Sequence, residues 1–281
     1  MGADSGATQT PLALAATSQY TSCVGWMVLQ RGWSALHGLA GRVADLFYPG
    51  VCAGCDALCD SGGMLCQPCA QKLSQQQQAP ACEKCAMPLP QHDAPCPWCL
   101  GNGRNPYQRI LRLGVFEDPL RKLIHRLKYQ SRWTLAEALA RQLRDHDAVR
   151  NILADAQRIV PVPLHWWRQF RRGYNQAEVM ARELARHSPG QVVRAARRLR
   201  DTPSQTRFRS IKARRENVRG AFELLSPKAI EGQRVVVVDD VMTSGATLIE
   251  LGRVLAAAGP ARLDALVLGI ADPRGSAFQR I

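Results

Sequence analysis

Apolar positions in this chain follow two rhythms. Beyond about residue 106, windows with apolar residues at three- and four-residue steps alternate with short unbroken apolar runs. That is the pattern of helices alternating with strands buried on both faces. Leu120, Leu123, Ile124 and Leu127 share one helical face, and Asp118 followed by Pro119 predicts an N-cap and a first helical residue ahead of them. Thr134, with Glu137 three residues later, predicts a capping box at the head of "TLAEALARQL". Asn175 and Glu178 predict the start of "NQAEVMARELAR", where Ala177, Met180, Ala181, Leu184 and Ala185 form a stripe.

The runs "RIVPVPL" at 158–164, "VVVV" at 235–238 and "LDALVLGIA" at 263–271 predict strands, and "VVRAARRL" a further one crowded by arginines. A loop over 239–247 leads into a helix from 247 to about 258, with Gly259 closing it. The predicted fold class is α/β, a mostly parallel sheet flanked by helices.

The first part of the chain reads differently. "WSALHGLAGRVADLFYPG" carries Leu36, Leu39, Val43 and Leu46 at helical spacing before Pro49 and Gly50 stop it, and the glutamine run "SQQQQAP" at 74–80 reads as a flexible linker. The opening Gly, Ser, Thr and Ala-rich stretch is expected to be disordered. The expected organisation is therefore 1–32 disordered, 33–104 a helix plus a cysteine-rich module, and 105–281 the α/β domain. No run approaches the roughly 18 apolar residues of a membrane span. "PLALAA" lacks a basic flank, since the first positive charge is Arg31, so the expected location is the cytoplasm.

Ten cysteines in such a chain point to metal or redox chemistry. Cys52, Cys55, Cys66 and Cys69 form two C-x-x-C knuckles, and Cys82, Cys85, Cys96 and Cys99 repeat them at a thirty-residue offset. Two knuckles supply four thiolates, a closed tetrahedral set for structural Zn²⁺, so two zinc ions are expected. The duplication favours sequential pairing; spacing alone leaves interleaved pairing open. Cys23, Cys59 and His92 stand outside the pattern and are read as non-ligands.

Charge sharpens the picture. Against 23 acidic residues stand 37 Lys and Arg, a net +14, which favours polyanionic partners such as nucleic acid or phosphorylated metabolites. The excess gathers between Arg194 and Arg219, whereas the stretch from Cys52 to Cys99 is slightly acidic. The basic run reads either as a solvated face or as an anion-binding loop beside a site.

The candidate chemistry lies in "VVVVDDVMTSGATL" at 235–248. Ligands of open α/β sheets bind at the carboxyl ends of strands, which puts Asp239 and Asp240 on the rim of the site. Met242, Thr243, Ser244, Gly245, Ala246 and Thr247 then lead into a helix N-terminus, whose free amides and dipole favour phosphate. Paired carboxylates suit the vicinal hydroxyls of a ribose with a divalent metal nearby, so the implied ligand is a ribose phosphate. No Gly-Lys pair occurs, which excludes a phosphate-binding loop of the nucleotide-triphosphatase kind, and no G-x-G-x-x-G fingerprint is present.

"VVVVDDVMTSGAT" resembles the phosphoribosyl pyrophosphate (PRPP) signature of type I phosphoribosyltransferases. With "LIHRLKYQSRWTLAEALA", "VPVPLHWWRQFRRGYNQAEVMARELA", "TPSQTRFRSIKARRENVRGAFEL" and the double zinc ribbon, the chain resembles the ComF family of competence-associated phosphoribosyltransferase-like proteins. The resemblance implies that Asp239 and Asp240 meet the ribose hydroxyls and that residues 242–247 wrap the 5′-phosphate. It places His165, Arg168, Arg171 and Arg172, in the loop after "VPVP", at the pyrophosphate. Lys128 and a mobile arm over 202–215, which includes Arg207, would close over it.

The implied cofactor is Mg²⁺ bound with PRPP. The position of Thr243 is commonly aspartate in purine-salvage members, so purine salvage is disfavoured and the acceptor stays open. The alternative is a non-catalytic module holding single-stranded DNA on its basic face, with other competence proteins as partners. There Trp166, Trp167, Tyr174 and Phe208 among arginines would stack bases.

Overall fold

A computed structural model of the chain describes residues 50–59, 64–101, 105–129, 133–202 and 210–272. The expected helix of Leu36, Leu39, Val43 and Leu46, the N-terminal stretch to residue 32, Cys23, Arg207 and Phe208 lie outside the described residues. From Val51 onward the chain forms one unit.

The cysteine-rich part holds the short strands β1 (Gly50–Val51) and β2 (Leu58–Cys59), then helices α1 (Gln67–Gln78) and α2 (Pro97–Gly101). The α/β part follows as β3 (Ile110–Val115), α3 (Leu120–Tyr129), α4 (Trp133–Arg144), α5 (Asp147–Asp155), β4 (Arg158–Pro161), α6 (Trp166–Arg172) and α7 (Gln176–Ala185). It continues through β5 (Gln191–Val192), β6 (Ala196–Arg198), α8 (Ile211–Val218), β7 (Phe222–Leu224), β8 (Arg234–Met242), α9 (Ala246–Ala256) and β9 (Arg262–Ile270). Five strands make a parallel sheet in the order β3-β9-β8-β4-β5, and β6 and β7 pair antiparallel beside it.

The four valines of β8 explain the layers. Successive residues of a strand point to opposite faces, and Val236 and Val238 join Leu266, Leu268 and Ile159 in a core covered by α3, α4, α5 and α7. Val235 and Val237 join Val160, Ala265 and Val267 in a second core covered by α9. All four are at most 2% exposed, and burying each contributes roughly 1.5–3 kcal/mol.

Several sequence expectations are corrected. The strand does not end at Val238: pairing of Asp239 with Val267, Val241 with Gly269 and Met242 with Ile270 carries β8 through both acids, and α9 opens at Ala246. The glutamine run is not a linker but the second half of α1, because glutamine is a good helix former, Leu73 is fully buried and the Gln76 amide donates to the Asp118 carbonyl at 3.1 Å.

Asp118 does not cap α3. Its carboxylate accepts from Arg121 at 2.9 and 3.2 Å, and Pro119 precedes the first helical residue. Thr134 is already inside α4, and Glu137 lies 3.7 Å from Arg186. "VVRAARRL" divides into β5 and β6, and the segment after "VPVP" is the short helix α6 rather than a loop. Asn175 caps α7 as expected, accepting from the Ala177 amide at 3.1 Å. Among the described residues no helix is long and apolar enough to cross a membrane.

Candidate functional site

The eight knuckle cysteines gather into two groups, Cys52, Cys55, Cys66 and Cys69, and Cys82, Cys85, Cys96 and Cys99. This is the sequential pairing. Sulfurs lie 3.6 Å apart between Cys55 and Cys66, 3.8 Å between Cys82 and Cys99, and 3.5 Å between Cys85 and Cys96. Tetrahedral Zn–S bonds of about 2.3 Å would put sulfurs about 3.8 Å apart, so each group fits structural zinc.

Burial works to raise the Cys52 thiol, but amide groups of Cys66 and Gly54 donating to its sulfur bring it down to about 6. Burial raises Cys85 and takes Cys99 up to about 11. A central cation is what lets such thiols ionise together.

The second group is joined firmly to the α/β part. Arg112 on β3, 7% exposed, donates to the carbonyls of Ala86 at 2.7 Å and Ala79 at 3.3 Å, and the Ile110 amide donates to the Lys84 carbonyl at 2.9 Å. Burial brings the Arg112 guanidinium down to about 10.

A cleft of about 500 Å³ lies over the acid-bearing end of β8, between α3 and the α6–α7 segment. Asp239, Asp240, Thr243 and Thr247 form its floor, and among the described residues six cationic side chains line it, Lys128, Arg168, Arg172 and Arg198 together with Arg121 and Lys122. The Lys128 ammonium sits 3.1 Å from Asp240. Burial, reinforced by the neighbouring Asp240 carboxylate, pushes Asp239 up to about 7; the Asp240 amide donating to it at 2.8 Å, Lys128 and Arg198 pull the other way.

Beyond the acids the chain turns at Gly245, whose φ of 68° is in the left-handed region that glycine tolerates, and enters α9. Ser244 is 2% exposed, and among the described residues its hydroxyl has no hydrogen-bond partner.

Of the expected cationic residues, Lys128, Arg168 and Arg172 reach the cleft. Arg168 also pairs with Asp201 at 2.7 Å, and Arg172 lies over the Tyr129 ring at 5.7 Å. His165 instead caps α6, accepting from the Trp167 amide at 3.4 Å, and Arg171 is exposed, outside the cleft lining. Trp166 and Trp167 are exposed on α6, whereas the Tyr174 hydroxyl turns inward to the Leu127 carbonyl.

Sequence reasoning missed Arg121, Lys122 and Arg198 in the cleft lining; Arg198 donates to the Thr202 hydroxyl at 2.6 Å, and burial brings it down to about 10. Alternation in "AARR" was the available signal, since Ala196 is buried, Arg197 exposed and Arg198 half-buried.

Comparison with known proteins agrees with this layout. Residues 134–277 match the phosphoribosyl transferase domain, and residues 43–100 match the double zinc ribbon domain. The chain is 33% identical to the DNA utilization protein YhgH of Salmonella typhimurium over 225 residues, 78% of this chain and 96% of that protein. It is 34% identical to Competence protein F of Haemophilus influenzae over 196 residues, 68% and 83% of the two chains.

Among solved structures, that of the allosteric regulatory enzyme of purine biosynthesis is 20% identical with a TM-score of 0.33, covering 47% of this chain and 25% of that one. With a phosphoribosyl transferase domain behind a double zinc ribbon, and relatives of this identity over most of their length, the chain belongs to the ComF family of phosphoribosyltransferase-like proteins.

Proposed function

We propose that the cleft binds PRPP with Mg²⁺ and that the protein is a phosphoribosyltransferase serving DNA utilization or competence, the processes named in its relatives. The observation that carries the reading is the turn after β8. A buried hydroxyl without a partner among the described residues, Ser244, and a left-handed glycine, Gly245, stand at the N-terminus of an eleven-residue helix, shortly after two carboxylates. Free helical amides and a hydroxyl donor suit a 5′-phosphate, and the carboxylates of Asp239 and Asp240 accept from ribose hydroxyls.

Lys128, Arg168, Arg172 and Arg198 then face the pyrophosphate. Fixed cations in a partly enclosed cleft stabilise charge that develops on a departing pyrophosphate while the sugar becomes cationic. Mg²⁺, held by phosphate oxygens and one or two carboxylates, would supply further positive charge to the leaving group. Thr243 on the cleft floor offers a hydroxyl and no carboxylate, which argues against a purine acceptor.

Titration calorimetry tests the reading. The wild type is expected to bind PRPP in the presence of Mg²⁺, and Asp240→Asn to bind it at least about tenfold more weakly. A wild type that takes up no PRPP overturns it.

A second reading rests on α6. No residue of this helix is buried; Trp166 is 68% and Phe170 76% exposed, and the Trp167 and Phe170 rings stack at 5.9 Å beside Arg171. Exposed aromatic rings among arginines suit stacked bases of single-stranded DNA, and such binding would weaken steeply with salt. Failure of the wild type to bind an oligothymidylate at low salt removes this reading.

A further inference from the structure

The second zinc ribbon touches the phosphate turn. Trp98 lies in α2, inside the knuckle Cys96-Pro97-Trp98-Cys99, and is 6% exposed. A Cβ built on Gly245 would fall 2.6 Å from its Cζ2, so the indole edge lies against the backbone of the turn. Two further contacts come from the segment that leaves the ribbon: the buried Tyr107 hydroxyl donates to the Leu248 carbonyl at 2.8 Å, and a Cβ on Gly252 would meet Pro106 at 2.6 Å and Tyr107 at 2.9 Å. Gly245, Leu248 and Gly252 are spaced i, i+3 and i+7, one face of α9. The ribbon and its exit strap therefore grip the helix from its first turn to its second.

We infer that Trp98 is a positioning residue for the 5′-phosphate turn, so that the second zinc site and the sugar-phosphate site are energetically linked. The inference rests on the PRPP reading given above. Amide donors must aim at a phosphate within a few tenths of an ångström to be effective. A left-handed glycine turn has little stiffness of its own. The indole, fixed between two metal-ligating cysteines, supplies the missing wall. Removing it leaves space into which the turn relaxes, and loss of the metal frees the knuckle that carries it. Linkage is reciprocal, so a sugar phosphate on the turn must tighten zinc at the second site and leave the first unchanged.

The test uses the full chain loaded with zinc, with ribose 5-phosphate and magnesium pyrophosphate as probes. Trp98→Ala is expected to weaken ribose 5-phosphate about tenfold, and Trp98→Phe, which keeps the apolar filling, about threefold. Magnesium pyrophosphate, held at the cationic wall, is expected to change less than about twofold in both. Competition with a chromogenic chelator is expected to show ribose 5-phosphate tightening one of the two zinc ions in the wild type and neither in Trp98→Phe.

If Trp98→Ala fails to fold, Trp98→Phe carries the test. The inference is overturned if Trp98→Phe binds ribose 5-phosphate as tightly as the wild type, if both probes weaken in equal proportion, or if neither zinc responds to a sugar phosphate that binds. A wild type that does not bind ribose 5-phosphate overturns the PRPP reading instead.

Discussion

The two ribbons repeat one another in sequence and differ in what they do to the fold. In the first, Cys55 is exposed, as are Val51 and Leu58 of its small sheet, and the module touches the α/β part through Ala53, Leu73 and the close approach of Gly54 to Pro119. In the second, Cys85 and Cys96 are buried with Met87, Leu89 and Trp98 in the core that also holds Met242, Ala246 and Leu248. Each ribbon thus joins a different face of the sheet. Thirty residues before Trp98 stands Pro68, which has no flat ring to offer a neighbour. Equal coordination with unequal outer residues gives one ribbon a scaffold role and the other a place beside the site.

The largest expected effect tests that inequality directly. Cys96→Ser should lose one zinc and on the order of 5 kcal/mol of stability, lowering the melting temperature by more than about 10 °C. Cys66→Ser should lose one zinc with roughly half that fall. Calorimetric melting with zinc analysis decides, and equal falls would break the comparison. Next comes Arg112→Ala, which strands the Ala86 and Ala79 carbonyls at the second ribbon and should cost about 3 kcal/mol in chemical denaturation.

Asp239→Asn should leave both zinc sites intact and change the pH dependence of stability. Asp239 is raised in the folded chain to about 7 from an ordinary 3.8, so its favourable contribution is complete below 3.8 and is lost as pH rises through 7. The ligand-free variant should therefore exceed the wild type by up to about 4 kcal/mol at pH 8, with the difference nearly vanishing near pH 4, measured by denaturation across pH. The smallest effect belongs to the first ribbon. Arg126→Ala removes an ion pair with Asp56, which is 64% exposed, and should cost less than about 1 kcal/mol.

Much of this was legible in the residues. The cysteine offsets gave the eight ligands and favoured the sequential grouping, because a knuckle is a local geometry, and the valine run marked a strand buried on both faces. What escaped reading was decided by partners distant in the chain. The continuation of β8 through Asp239 and Asp240 depends on β9, and the helix in the glutamine run is anchored by Leu73 and by the Asp118 carbonyl. Trp98 and Gly245 lie in different domains of the sequence, and nothing local in "CPWC" or "TSGAT" announces that they meet. Arg198 was hidden by its own neighbours, since a run of arginines masks the alternation that singles out one of them.

The strand order has a consequence for how the chain is made. β3 pairs only with β9 in this sheet, so this early strand has no neighbour until residues near 270 have been synthesised, whereas β4 meets β5 at 191–192 and β8 by residue 242. At about 5–20 residues per second, the edges of β3 wait on the order of ten seconds for their partner. The ribbons, whose ligands lie within eighteen residues of one another, can close on metal well before that. Arg112 and the Ile110 amide then have fixed carbonyls to meet, which holds β3 against an ordered surface while the centre of the sheet is still inside the ribosome.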